Sequence, residues 1–240
     1  MAKRRKMYRF EQNKEASNVI ERGKPLYTSI KGRWLSNYFS NSNPIVLELG
    51  CGQGEYTVGL AKAYPDRNFI GIDIKGDRIA RGSQEDLELG LTNVAYLRTS
   101  VQYLGEFFGE QEVDEIWITF PDPQSLDKQQ KHRLTHVSFL SLYSLILKPN
   151  GLLQLKTDHV GFFKFSLLSL SENGFSIISF TSDLYQSSLN DIHLEIRTKY
   201  ETMFYAKGFL INYLQSKKRD SQHYAEGPSG EEFVLERLVE

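Results

Sequence analysis

Three observations predict an α/β fold with a seven-stranded, mostly parallel sheet and helices on both faces. Short apolar runs alternate with helical periodicity along most of the chain. The first five runs fall in strand–helix units, the order that builds a parallel sheet. The stretch Ile45–Asp73 (IVLELGCGQGEYTVGLAKAYPDRNFIGID) passes from an apolar strand through Gly50, Gly52 and Gly54 into a helix, then into a second strand that ends in an acid.

The elements follow in order. Residues 1–43 form a polar, basic N-terminal extension with scattered aromatics (Tyr8, Phe10, Tyr27, Trp34), open to two roles: clamping an RNA or remaining disordered. Residues 44–240 form the main domain. The first strand ends near Glu48, and Asn68–Asp73 is the second. A helix covers Lys75 to Leu89 and Val94–Leu97 is a short third strand. Val113–Phe120 alternates and then turns apolar, as the fourth strand. Lys131–Leu147 reads as a helix, because Phe139, Leu142, Tyr143 and Ile146 share one face. Pro149-Asn150-Gly151 is a turn before the fifth strand, Leu152–Thr157. Val160–Glu172 is a helix stopped by Asn173-Gly174. Ser176–Phe180 and Glu201–Ala206 complete the seven strands.

Composition excludes several classes. No apolar run approaches the length of a bilayer span, and polar EQNKEASN follows the basic MAKRRKMYRF, so no signal-peptide core is present. A single cysteine, Cys51, precludes an internal disulfide and fits the cytoplasm. It lies inside the glycine turn with no histidine nearby in sequence, so it reads as a small buried residue, not a nucleophile. The histidines and Cys51 show no ligand spacing, so no metal is expected. A net charge of −1 leaves a nucleic-acid partner open, and three basic clusters stand out: Lys3–Arg9, Lys128–Arg133 and Lys217–Arg219.

The glycine turn argues for a nucleotide-like cofactor at the carboxyl edge of the sheet. Asp73, about twenty residues beyond the glycines, is placed to accept from ribose hydroxyls. The spacing is not that of a pyrophosphate binder, and no Gly-Lys-Ser/Thr of a P-loop is present. Glu48 would repel a pyrophosphate. It suits a cofactor carrying positive charge, either directly or by fixing the turn. At the end of the fourth strand, Phe120-Pro121-Asp122-Pro123 holds a carboxylate between two prolines, and a basic segment follows within ten residues. That pairing suggests a nucleic-acid substrate presented to the cofactor.

Ile45–Asp73 resembles the first motif of S-adenosylmethionine-dependent methyltransferases. The whole chain after residue 44 resembles the tRNA (guanine-N(7)-)-methyltransferase family, on LELGCGQGEY at 47–56, GIDI at 71–74, FPDP at 120–123, KHRL at 131–134, KTDH at 156–159 and TKYE at 198–201. The resemblance implies a Rossmann-like class I methyltransferase fold. It implies methylation of a guanosine N7 in the tRNA variable loop, with S-adenosyl-L-methionine as methyl donor. Glu48, Gly50, Gly52, Asp73, Thr99 and Asp122 would line the cofactor site, and Asp122 would also be the active-site acid. Lys128, Asp158, Thr198, Lys199, Tyr200 and Glu201 would meet the substrate.

The sequence departs from the family twice. Gln124, Ser125 and Leu126 stand where the family has a tryptophan and then a basic residue, and Lys128 is the neighbouring cation offered to the same phosphate. Thr99-Ser100 stands where an acid is expected near the adenine, and a hydroxyl can still bond its amino group. The expected enzyme is a cytoplasmic monomer or homodimer. Two alternatives remain: a methyltransferase acting on another RNA base nitrogen, and a non-catalytic tRNA-binding protein on the same scaffold.

Overall fold

The computed structural model describes residues 2–220. Its elements run α1 (Ala2–Glu15), β1 (Val19–Ile20), β2 (Ile45–Leu49), α2 (Glu55–Ala63), β3 (Asn68–Asp73), α3 (Gly76–Leu89), β4 (Val94–Arg98), α4 (Leu104–Phe107), β5 (Val113–Thr119), α5 (Val137–Ile146), β6 (Leu147–Thr157), α6 (Val160–Glu172), β7 (Phe175–Thr181), α7 (Lys199–Tyr205) and β8 (Asn212–Lys218). They form one eight-stranded sheet of order β1-β4-β3-β2-β5-β6-β8-β7. The pairs from β1 to β6 are parallel, whereas β8 lies antiparallel between β6 and β7. Strand order reverses at β2, so a ligand crevice opens beyond the carboxyl ends of β2 and β5.

Parallel strands covered on both faces need near-continuous burial, and every residue of β2 and β3 is buried. The period of two then sorts the core. Ile45, Leu47 and Leu49 pack into one apolar layer with Trp34, Ile70, Leu97 and Tyr143. Val46 faces the other layer, with Tyr56, Leu60, Ile79, Trp117 and Tyr213. Glu48 lies on this second face, in register with Trp117, and Thr119 faces Lys156 across the β5–β6 ladder. That sheet face thus carries buried Glu48, Thr119 and Lys156.

Four expectations about elements need correction. The sheet has eight strands, not seven. Residues 201–205 belong to helix α7, with Ala206 as its C-cap, and the strand that completes the sheet is β8. Thr198-Lys199-Tyr200-Glu201 closes a capping box in which the Thr198 hydroxyl accepts from Glu201 N and the Glu201 carboxylate accepts from Thr198 N. That pattern outweighs the β-favouring aromatics behind it. The predicted helix over 131–147 begins only at Val137, because Asp127–His132 forms a tight 3-10 turn and Arg133 is extended. Asn150, at φ +62, sits inside β6 as a ladder irregularity between the Val113 and Glu115 registers.

The N-terminal segment is tied down. β1 pairs with β4, the Asn13 side chain donates to Gly76 O at 2.8 Å, and Arg98 pairs with Glu21 at 2.9 Å. Trp34 is fully buried, stacked on Phe108, with its indole N–H on Phe107 O at 2.9 Å. It is not available to clamp an RNA. The side chains of Lys3–Lys6 lie outside the described residues. The third basic cluster is partly spent on the fold: Lys218 donates to Ser144 O and Leu147 O, and Arg219 to Phe175 O.

Candidate active site

The glycine turn after β2 is shaped by its backbone. Gly50 and Gly52 adopt φ of +76 and +57, which side chains disfavour, and a Cβ at Gly50 would meet nothing within 4 Å. The space above the turn is open while its floor is fixed: Gly50 N and Cys51 N both donate to Ile72 O, at 2.8 and 3.0 Å. Asp73, at the end of β3, accepts from Gly52 N at 3.0 Å and Lys75 N at 2.8 Å. Gly50, Asp73 and Thr99 then line one cavity of about 280 Å³, closed opposite by Leu134 and Phe139. Three of the expected cofactor residues are thereby brought together at the ends of β2, β3 and β4.

Glu48 does not reach that cavity as a free ligand. Its carboxylate is buried, accepts from Thr57 N at 2.9 Å and from the Thr57 hydroxyl, and takes the Thr119 hydroxyl at 2.6 Å. Thr57 N is one of the N–H groups that a helix leaves unsatisfied in its first turn, so Glu48 caps α2 from below. Burial pushes its carboxyl up to about 7, against the hydroxyl and N–H bonds that favour the anion. Of its two expected roles, the geometry supports fixing the turn.

The loop after β5 is built by side chains. Phe120 adopts φ +47 and turns the chain out of the sheet, at a cost of about 1–2 kcal/mol for a non-glycine residue. Its N–H still donates to Lys156 O at 2.9 Å. Asp122 is exposed and accepts from Gln124 N at 3.1 Å. The buried Arg133 guanidinium grips Gln124 O through two bonds of 3.2 Å, and Ser125 Oγ meets His159 Nε2 at 3.2 Å. The two departures Gln124 and Ser125 thus serve as anchor points of the loop. Lys128 is exposed and has no ion pair among the described residues. His159 caps α6 through Nδ1, accepting from Phe162 N.

α7 faces this loop. The Tyr200 ring lies 5.5 Å from Phe120, and its hydroxyl donates to Asp158 at 3.3 Å. Lys199 ties the helix to the glycine-turn side, with its N–H on Glu55 at 3.2 Å and its ammonium 3.5 Å from the same carboxylate. Glu201 is placed differently from expectation: it is fully buried beneath the site. Its Oε1 is 2.6 Å from Lys156 Nζ and accepts the Tyr185 hydroxyl at 2.6 Å. Lys156, also buried, sits over the Tyr56 ring at 5.0 Å. Burial pulls its ammonium down from the ordinary range while Glu201 pulls it up. Tyr56 in turn bonds His193 Nδ1 at 2.6 Å, and burial with Lys156 behind it pulls His193 down to about 3, so it is neutral.

Sequence reasoning missed Lys156, Tyr56, Arg133 and His193. The KTDH and KHRL strings contained two of them, but a buried cation cannot be told from a solvated one by its neighbours. Among the described residues, no group of three histidine, cysteine or acidic side chains could hold a metal ion, and no helix is long and apolar enough to cross a membrane.

A glycine turn with an acid at the next strand end, set at the switch point of this sheet, is the cofactor cradle of a Rossmann-like class I methyltransferase. Comparison with known proteins agrees. Residues 42–212 match the family described as "Putative methyltransferase". The 16S rRNA methyltransferase KamB superposes with a TM-score of 0.60 at 14% identity, over 75% of this chain and 90% of that one, which shows the shared fold. The tRNA (guanine-N(7)-)-methyltransferase of Christiangramia forsetii is 44% identical over 222 residues, covering 90% of this chain and 99% of that protein. Its counterpart in Porphyromonas gingivalis is 49% identical over 187 residues, covering 77% and 75%. The chain belongs to the tRNA (guanine-N(7)-)-methyltransferase family.

Proposed function

We propose that this protein methylates N7 of a guanosine in the tRNA variable loop, with S-adenosylmethionine as methyl donor. The observation that carries the reading is the pairing across the switch point of an adenosyl-sized cavity holding Asp73 with an exposed Asp122 on a braced loop. The residues present fit the donor. Asp73 offers carboxylate oxygens to ribose hydroxyls, Thr99 a hydroxyl to the adenine, and Gly50 and Gly52 an open, side-chain-free approach. S-adenosylmethionine supplies an electrophilic methyl group on a sulfonium.

The protein itself has little proton chemistry to do. The guanine N7 lone pair is free at neutral pH, so no base is required. Alignment of the two reactants is worth on the order of 7–11 kcal/mol. Asp122 stabilises the positive charge that develops on the purine, or orients the base through its ring N–H and amino group. Asp158 and Tyr200, hydrogen-bonded to each other, and Lys199 and Thr198 frame the substrate side. Lys128 meets a tRNA phosphate. Glu201 acts through Lys156 and the capping box, holding α7 at its angle to the loop. A displacement at a free lone pair needs no Lewis acid, so we read the enzyme as metal-independent. We place it in the cytoplasm as a monomer or homodimer.

Incubation with unmodified tRNA and labelled S-adenosylmethionine, followed by nucleoside analysis, tests the proposal. Labelled 7-methylguanosine supports it. Another methylated nucleoside would assign the site to a different base nitrogen. Retained tRNA and cofactor binding without turnover would make the chain a binding protein.

A further inference from the structure

An aromatic row leaves the catalytic loop and runs out along α7. Phe120 meets Tyr200 at 5.5 Å, Tyr200 stacks on Phe204 at 4.2 Å and 21°, and Phe204 meets Phe209 edge-on at 5.3 Å. Tyr200 and Phe204 are four residues apart, the spacing that puts two side chains on one helix face. The row is open to solvent beyond Phe120: Tyr200 is 41% exposed and Phe209 46%, with Phe204 half-buried between them. Met203 and Leu210 widen the exposed surface. Lys207 holds its ammonium 4.9 Å above the Phe204 ring. Phe120 packs against the second core layer, but Tyr200, Phe204 and Phe209 belong to neither layer. An exposed row of apolar rings is a liability unless something covers it.

We propose that Phe204, Phe209 and Lys207 extend the active site into a stacking platform for an unstacked nucleobase adjoining the target guanosine. The inference rests on the tRNA reading above. Its basis is continuity: the row begins at Phe120, beside Asp122, where the guanine is presented. A methyl donor held inside a protein cleft reaches the in-plane N7 lone pair most directly on a guanosine drawn out of its stack, and extrusion leaves a neighbouring base without a partner. Single-stranded segments are held by such surfaces, where bases stack on aromatic side chains and a cation adds attraction to the ring faces or to a phosphate. Of the possible occupants, an RNA base suits a ring surface that carries its own ammonium and adjoins the reacting atoms.

The test uses the full chain, unmodified tRNA and S-adenosylmethionine. Phe204→Ala and Phe209→Ala are expected to raise KM and Kd for tRNA about ten-fold each. The Kd for S-adenosylmethionine should stay within about two-fold, and kcat should change less than KM. Phe204→Tyr should restore affinity. Phe204→Leu, which keeps an apolar side chain for folding, should behave like Phe204→Ala. Lys207→Ala should lower the slope of log Kd against log salt by about one, while the phenylalanine variants leave it unchanged. A 2-aminopurine placed next to the target guanosine should be quenched by the wild type and not by Phe204→Leu.

Unchanged tRNA affinity in Phe204→Leu and Phe209→Ala, with wild-type turnover intact, overturns the platform alone. If those variants instead abolish a wild-type dimer seen by sedimentation and leave tRNA affinity unchanged, the patch is a subunit interface and the platform is again overturned. A wild type that does not bind or methylate tRNA overturns the reading beneath the platform, and the platform with it.

Discussion

Glu48 and Asp73 on one side of the switch point, and Asp122 and Asp158 on the other, are all carboxylates at the ends of parallel strands. They meet opposite surroundings. Glu48 and Asp73 are buried and each accepts backbone N–H groups, from Thr57 in one case and from Gly52 and Lys75 in the other. Asp122 stands in solvent on a loop that bends through Phe120 and Gln124, both at φ +47, and among the described residues the Asp158 carboxylate is bonded only by Tyr200. The half proposed to hold the cofactor is therefore fixed by main chain. The substrate half is a surface of exposed side chains, and what fixes it lies underneath: the Lys156–Glu201 pair and the grip of Arg133 on Gln124.

This contrast can be broken most directly at Asp122. Asp122→Asn should cut single-turnover methylation by about 10²–10³-fold, the range for loss of one group that stabilises developing charge, while calorimetry shows cofactor affinity nearly unchanged. Equal loss of both would move Asp122 to the cofactor half.

Next comes the buried pair. Lys156→Met leaves the Glu201 carboxylate buried without its cation and should cost about 3–5 kcal/mol in a denaturant melt. Adding Glu201→Leu should recover most of that stability yet leave tRNA turnover low, because the box that aims α7 is gone. Full recovery of turnover in the double variant would show that the pair does not position the substrate half.

Asp73→Ala should weaken S-adenosylmethionine binding about 10- to 100-fold, as two to three charge-assisted bonds are lost, with tRNA affinity little changed. A parallel loss of tRNA affinity would mean the halves are not separable.

The smallest effect concerns pH. Burial raises Glu48 from an ordinary 4.5 to about 7. A carboxyl with a raised folded pKa holds its proton more tightly when folded, so this group takes stability away as pH climbs from 4.5 to 7 and adds no further slope above that. Asp86, raised by burial to about 7, slopes the same way. Glu48→Gln should therefore flatten part of the fall in Tm between pH 5 and pH 7 relative to wild type. An unchanged profile would show that folding does not raise the Glu48 carboxyl.

Much of this was legible in the residues. Val160–Glu172 is a helix with the bounds its periodicity implies, and Asn68–Asp73 is a strand ending in the acid that lines the cavity. The Thr-x-x-Glu of Thr198–Glu201 is a helix-start signature that was legible too, and reading Glu201–Ala206 as a strand overlooked it. β8 gave less away, because it buries polar residues beside Leu214 on one face: Ser216 donates to Leu153 O and Asn212 to Thr157 O.

By itself, the sequence determined the strand–helix units of a mostly parallel sheet, the glycine turn with Asp73, and the strand end that carries Asp122. All of these depend on local pattern: apolar periodicity, backbone freedom at glycine, and restricted backbone at proline. Only the tertiary structure decided that Glu48 caps a helix, that Glu201 and Lys156 neutralise each other under the site, and that Trp34 belongs to the core. Those assignments depend on which groups lose water together, and that is set by residues 9, 45 and 73 positions apart in the chain meeting in the fold.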